Sequence, residues 1–153
     1  MVEWIDFSER TFSGVIAIKG IGGYLFTCYA GNIKAIQLKH RPTKPFALMF
    51  LNLESVEKEV DISKIESKEL TSVVALIVIL NFKNTTDTNL QLEVIAPNQN
   101  QIGVMLPYTP LFDLILEKFK KSIVATSRKI SNTPILSEDK KTMKELSAML
   151  ILL

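Results

Sequence analysis

The residues best suited to chemistry form one short cluster, Lys39-His40-Arg41-Pro42-Thr43-Lys44-Pro45. Its two prolines fix backbone angles around three cations. Arg41 has the planar fork to hold a phosphate through two parallel hydrogen bonds, while Lys39 and Lys44 serve as point charges. Taken alone, the cluster suits a phosphate site and an ordinary basic loop equally. A second candidate is Thr126-Ser127-Arg128-Lys129-Ile130-Ser131. Hydroxyls at a strand end, followed by two cations, suit a phosphate or carboxylate, and a solvated loop has the same composition. Gly20-Ile21-Gly22-Gly23 follows an apolar run as a phosphate loop would, but matches neither the dinucleotide fingerprint nor the Walker pattern. A structural turn is its simpler reading. Gly103 to Pro110 reads as a strand running into a helix start, where backbone amides attract anions. Plain capping is the better account of Thr109.

Other chemistry is poorly served. His40 is the single histidine and Cys28 the single cysteine. One histidine cannot be assembled with a serine and an aspartate here without strain on the argument. One cysteine supports neither an internal disulfide nor a cysteine-rich zinc site. No protein-bound metal is expected.

The formal net charge is +2, but it is unevenly spread. No acid occurs from Gly31 to Leu53, which holds Lys34, Lys39, Arg41 and Lys44. None occurs from Lys118 to Ser137, which holds Lys118, Lys120, Lys121, Arg128 and Lys129. These nine are half of the 18 basic residues. The acids collect between the two stretches, at Glu54, Glu57, Glu59, Asp61, Glu66 and Glu69. If the stretches meet in space they form a surface for a polyanion, and otherwise two solvated faces.

The elements that must position these residues read as one α/β or α+β domain over residues 1–153, a mixed sheet with flanking helices. Apolar residues at 47% and charged ones at 22% are ordinary for a globular protein. Strands are predicted at Gly14–Ile18, Phe46–Phe50, Val73–Phe82, Ile102–Leu106 and Ile123–Ala125. Leu90–Ile95 alternates and suits strand or helix. A helix begins near Asn32 and stops before Pro42. Leu53–Thr71 is helical in one or two pieces, the second capped by Asp61 or Ser63. Thr109 and Pro110 open a helix with Leu111, Phe112, Ile115, Leu116 and Phe119 on one side. A last helix opens at Ser137 and carries Met143, Leu146, Met149 and Leu150. The longest apolar run, Val73–Leu80, falls far short of the ~20 residues of a membrane helix. The acidic N-terminus does not resemble a signal peptide. A cytoplasmic protein with no membrane partner is expected. The apolar terminus Met149–Leu153 suits packing on the domain, on a partner or on a second copy.

Four segments recur in order: Ala17-Ile-Lys-Gly-Ile-Gly-Gly-Tyr24, Lys39-His-Arg-Pro-Thr-Lys-Pro-Phe-Ala-Leu-Met49, Gly103-Val-Met-Leu-Pro-Tyr-Thr-Pro-Leu111, and Val124-Ala-Thr-Ser127 with Ile130-Ser131. Together they resemble the YrdC-like domain family, in the version carried by HypF, the hydrogenase-maturation carbamoyltransferase. Threonylcarbamoyl-adenylate synthases share the domain with a looser match. The resemblance runs from about Gly14 to Leu150. It implies a twisted α/β sheet with a basic concave face. It also implies joining of a carbamoyl-type group to AMP, with ATP consumed, Mg²⁺ as its counterion and pyrophosphate released.

By motif position, Lys39, Arg41, Lys44 and Ser127 would hold nucleotide phosphates, and Lys19 and Tyr24 would line the acyl-group end. Arg128 and Lys129 depart from the family, which usually reads Gly-Asn or Ala-Asn there; they add to the basic face. Leu38 and His40 stand where arginines are common, and Leu76 stands where proline is usual. HypF-type domains continue beyond the length seen here, so the domain looks shortened at its C-terminus. Three functions follow as expectations: nucleotide binding related to carbamoyl-adenylate formation, double-stranded RNA or tRNA binding (or a threonylcarbamoyl-adenylate synthase-like role), and a non-catalytic interaction fragment.

Overall fold

A computed structural model describes residues 14–20, 23–32, 34, 45–83, 88 and 90–127. For Lys19, Gly20, Gly23, Tyr24 and Ser127 only the backbone is described. Among the described residues, seven strands and four helices follow one another as β1 (Ile16–Gly20), β2 (Gly23–Tyr29), β3 (Ala47–Met49), α1 (Leu53–Glu59), β4 (Val60–Asp61), α2 (Lys64–Leu70), β5 (Val78–Phe82), α3 (Leu92–Ile95), β6 (Gln101–Met105), α4 (Pro110–Phe119) and β7 (Ile123–Ser127). They form one open sheet in the order β1-β2-β7-β3-β6-β5-β4. Only β3 and β6 run parallel; every other neighbouring pair is antiparallel. The mixed α/β domain expected from the alternation of elements is therefore what forms.

The central strands are buried on both faces, as their unbroken apolar runs require. Leu48 of β3, Val104 of β6 and Val124 of β7 join one core, with Val56 of α1, Leu70 of α2 and Ile95 of α3. Met49, Met105 and Ile123, the next residues along or back, join a second core with Phe112, Ile115, Leu116 and Phe119 of α4. Successive side chains of a strand point to opposite faces, so one strand serves both cores. Burying each of the four α4 side chains contributes about 2 kcal/mol.

Local chemistry sets the helix starts. Ser63 Oγ accepts from the Glu66 backbone N–H at 3.3 Å, and the Glu66 carboxylate accepts from the Ser63 N–H at 2.8 Å, a reciprocal cap for α2. Asn52 and Ser55 do the same for α1, at 2.9 and 3.2 Å. Thr109 Oγ1 accepts from the Phe112 N–H at 3.5 Å and Pro110 occupies the first turn of α4, as expected.

Several expectations need correction. The first strand lies at Ile16–Gly20 rather than Gly14–Ile18. The strand predicted over Val73–Phe82 begins only at Val78. Before it the chain turns, with the Ala75 N–H bonded to the Ser72 carbonyl at 3.3 Å and Ala75 at φ 53°. Leu90–Ile95 resolves as a single helical turn. Leu111 lies 45% exposed rather than on the buried side of α4. Two strands were not expected at all, β2 and the two-residue β4 that splits Leu53–Thr71. The helices predicted near Asn32 and after Ser137, and the apolar C-terminus, lie outside the described residues apart from Asn32 and Lys34. Among the described residues no helix is long and apolar enough to cross a membrane.

Candidate functional site: one end of the sheet

Backbone register decides which candidate residues converge. β1 and β2 form a hairpin in which Lys19 lies opposite Tyr24 and Gly20 opposite Gly23. Gly20 and Gly23 therefore stand at the end of the sheet where β2 begins. β7 runs antiparallel to β2 with Leu25 opposite Ser127, so β7 ends where β2 begins. β3 also runs antiparallel to β7, with Ala47 opposite Ala125. Pro45 lies two residues before Ala47 and Ser127 two beyond Ala125, which puts the start of β3 at that same end. Adjacent strands are about 4.8 Å apart. The Lys19–Tyr24 hairpin, the Ser127 strand end and the exit of the Lys39–Pro45 cluster thus occupy neighbouring positions.

The flanking residues fix this arrangement. Phe46 is buried and its N–H donates to the Ile95 carbonyl at 2.9 Å, tying the start of β3 to α3. Thr126 Oγ1 donates to the Phe26 carbonyl at 3.3 Å, and buried Thr27 donates to the Ile16 carbonyl at 3.3 Å. Thr126 thus spends its hydroxyl on the sheet, and of the Thr126-Ser127 pair it is the structural member. One level inward, Thr27, Ala125, Ala47 and Gly103 lie side by side on four adjacent strands. Three of these have no side chain beyond Cβ, so the sheet surface on the α4 side is low at Ala125 and Ala47, while Ile77 lies over Gly103. Sequence reading missed this row, because its members are far apart in the chain and β2 was unrecognised.

The fourth motif behaves differently. Gly103 pairs with Ala47, but the chain leaves β6 after Met105, level with Met49. Pro107, Tyr108 and Thr109 therefore lie at the opposite end of the sheet. There Thr109 is a helix cap, and Tyr108 packs its ring 5.2 Å from that of Phe112. Burial holds the Tyr108 phenol above its ordinary value of 10.0, so it stays protonated. Gly103 itself has a packing reason: a Cβ there would lie 2.9 Å from Ile77 Cγ2 and 3.5 Å from the Ala47 Cβ.

The two acid-free stretches do meet. β3 lies within the first and β7 within the second, and they are paired neighbours. At their other end the Ala30 N–H donates to the Ser122 carbonyl at 3.2 Å. Of the described cations, Lys120 pairs with Glu117 at 3.2 Å and Lys121 Nζ stands 5.2 Å from the Tyr29 ring centre. Tyr29 in turn meets Phe119 edge-on at 5.7 Å. Lys39, Arg41, Lys44, Arg128 and Lys129 lie outside the described residues, and the side chains of Lys19, Tyr24 and Ser127 are not described. Among the described residues no group of three His, Cys, Asp or Glu is placed to hold a metal ion.

Comparison with known proteins agrees with this architecture. The family model Sua5/YciO/YrdC, described as telomere recombination, matches residues 12–153. The carbamoyltransferase HypF of Synechocystis sp. is 41% identical over 125 residues, spanning 79% of this chain and 16% of that protein. A crystal structure of full-length HypF in a phosphate- and nucleotide-bound form superposes with a TM-score of 0.78 at 34% identity, covering 87% of this chain and 21% of that one. Escherichia coli YciO shares the fold, with a TM-score of 0.68 at 18% identity over 87% of this chain and 66% of its own. The chain thus spans only a small part of the HypF proteins it matches. With a family match over nearly its whole length, a HypF relative at 41% identity and the same sheet, this chain belongs to the Sua5/YciO/YrdC family, with strong homology to the HypF carbamoyltransferases.

Proposed function

We propose that this chain is a nucleotide-binding domain of the HypF type, which binds ATP with its Mg²⁺ and a carbamoyl-type group for formation of a carbamoyl adenylate. The observation that carries the reading is the backbone register. It sets the Lys19–Tyr24 hairpin, the Pro45 start of β3 and the Ser127 end of β7 side by side. Three motifs far apart in sequence are adjacent in space, and each brings polar or cationic residues. The nucleotide-bound HypF structure supports a related, nucleotide-using site.

In this reading Lys39, Arg41, Lys44 and Ser127 hold the phosphates, with Arg128 and Lys129 adding positive charge. Lys19 and Tyr24 border the carbamoyl end. A carboxylate oxygen of carbamate, freed when water displaces the phosphate of carbamoyl phosphate, attacks the α-phosphorus, the bond from that phosphorus to the α,β-bridging oxygen breaks, and pyrophosphate leaves with its electrons. Such a step needs alignment and charge neutralisation more than a dedicated base, which fits a site without histidine among its expected members. Mg²⁺ would travel on the phosphates of ATP.

Titration calorimetry with ATP and Mg²⁺ tests binding, and pyrophosphate exchange with carbamoyl phosphate tests turnover. Arg41→Ala should weaken ATP binding about 10- to 100-fold, the loss of one charge-assisted contact of about 1.5–3 kcal/mol. Absence of binding at millimolar ATP in folded protein would refute the reading. Tight duplex RNA binding with a steep salt dependence, without ATP binding, would favour the nucleic-acid alternative instead.

A further inference from the structure

The sheet carries a second feature toward its β5–β4 edge. The run Thr71–Phe82 contains no charged residue; Leu80 joins the core and Val78 and Phe82 pack against it, while Val73, Val74, Ile77 and Ile79 face outward. Val73 is 103% exposed, Val74 67%, Ile77 54% and Ile79 57%. Exposed branched apolar side chains on a strand are costly, and contiguous patches of this kind mark interaction surfaces.

The backbone beside them is open. The Phe82 N–H donates to the Asn100 carbonyl at 2.9 Å, so Phe82, Leu80 and Val78 direct their amides toward β6. Lys83, Asn81 and Ile79 direct theirs to the other side. There the Lys83 N–H meets the Glu59 carbonyl and Asn81 lies opposite Asp61. β4 ends at Asp61. Ser63, which would pair with Ile79 if β4 continued, gives its N–H to the Glu66 carboxylate and its carbonyl to the Ser67 N–H. The α2 cap therefore ends the ladder one pair early and, among the described residues, leaves the edge of β5 at Ile79 without a strand partner. Natural sheets protect such edges with charge, proline or a bulge. Residues 76–80, Leu-Ile-Val-Ile-Leu, carry no charge or proline.

We propose that the open edge of β5 at Ile77–Ile79, with Val73 and Val74 beside it, is a docking surface for a second copy of this chain, joined strand to strand across a two-fold axis. A second copy is the occupant the chemistry favours. The run is uncharged throughout, so antiparallel self-pairing brings no like charges together, and it sets branched apolar residues against their counterparts. Such cross-strand pairs are favourable. Val73, Val74, Ile77 and Ile79 supply the apolar area from both copies, toward the roughly 1,000 Å² in total at which specific interfaces begin. The main-chain bonds of strand addition come on top of that area.

Sedimentation velocity between micromolar and 100 micromolar protein tests the proposal. Wild type is expected to form a dimer in that range, and Ile79→Lys to raise the dissociation constant at least tenfold with an unchanged circular dichroism spectrum. Val73→Lys, at a fully exposed position outside any strand, is the second variant and should act in the same direction even if the strand variant does not fold. Ile65→Lys, on exposed α2, should leave the dimer intact. Hydrogen exchange at the Ile79 amide should slow as protein concentration rises. A strict monomer at 100 micromolar, a dimer untouched by both Ile79→Lys and Val73→Lys, or an Ile79 amide indifferent to concentration would overturn the proposal.

Discussion

Replacing Gly103 by alanine should destabilise the domain only while Ile77 keeps its side chain. A Cβ at position 103 would lie 2.9 Å from Ile77 Cγ2, inside contact distance, whereas the Ala47 atoms at 3.5 and 3.6 Å leave ordinary room. The clash is thus with one methyl group. Overpacking of this size costs about 1–3 kcal/mol. Alanine in a strand interior also gains about 0.5–1 kcal/mol over glycine through backbone entropy. Gly103→Ala alone should therefore lose about 0.5–2 kcal/mol. In an Ile77→Ala background the methyl is gone and the same change should gain about 0.5–1 kcal/mol. The coupling between the two sites then amounts to about 1–3 kcal/mol. Urea denaturation of the four proteins of the cycle, at submicromolar concentration to exclude association, measures it. If the two changes add within about 0.3–0.5 kcal/mol, the packing account of Gly103 is wrong and the glycine is required for something other than Ile77.

Other outcomes follow from single contacts. Thr109→Ala removes the α4 cap and should cost about 1 kcal/mol of stability while leaving ATP affinity unchanged, since Thr109 lies at the sheet end opposite Ser127; thermal melts and calorimetry on one preparation check both halves. Ala75 holds φ 53°, so Ala75→Gly should raise stability by about 0.5–1 kcal/mol, and a lower melting temperature would contradict that strained turn. Glu66 sits below its ordinary carboxylate value of 4.5, through its hydrogen bonds to the Ser63 hydroxyl and backbone. Its contribution is present above pH 4.5 and is lost as the pH falls through the lowered value, because the unfolded chain takes up the proton first. Glu66→Gln should flatten the acid limb of a pH–stability curve, and an unchanged limb would remove the carboxylate from the cap.

How much of this could be read from the chain depends on how local each cause is. Ser63, Thr109 and Pro110 act within one helical turn, so their caps were legible and occur as expected. Residues Val73 to Ile77 are as apolar as any strand, and composition could not show that Ser72 and Ala75 close a turn there. Leu111 falls at helical spacing from buried residues, but the edge of a buried stripe depends on where the sheet stops. β2 was hidden because Tyr24 to Tyr29 follows a glycine-rich segment and precedes Gly31, and because one of its two partners is β7, far away in sequence. The site inherits that difficulty. The motifs were legible as an ordered set, while their adjacency rests on pairings between residues about 80 to 100 positions apart.

The place of β7 is what makes the site and the fold a single problem. The last described strand inserts between β2 and β3 and is the only strand touching both. Without it the sheet falls into a β1–β2 hairpin and a β3-β6-β5-β4 half, each exposing one further edge, at β2 and at β3. The hairpin turn, the start of β3 and the Ser127 strand end come together only when that insertion is complete. A ligand spanning these three termini would touch both halves and the strand that joins them, so it would bind the assembled sheet and not its parts. Such a ligand stabilises the native state by about 2.7 kcal/mol at a concentration of 100 Kd. The open edge of β5 lies three strands away from β7, across β3 and β6. A copy docked there would extend the sheet without entering the end where the motifs converge, so the two proposals stand or fall separately.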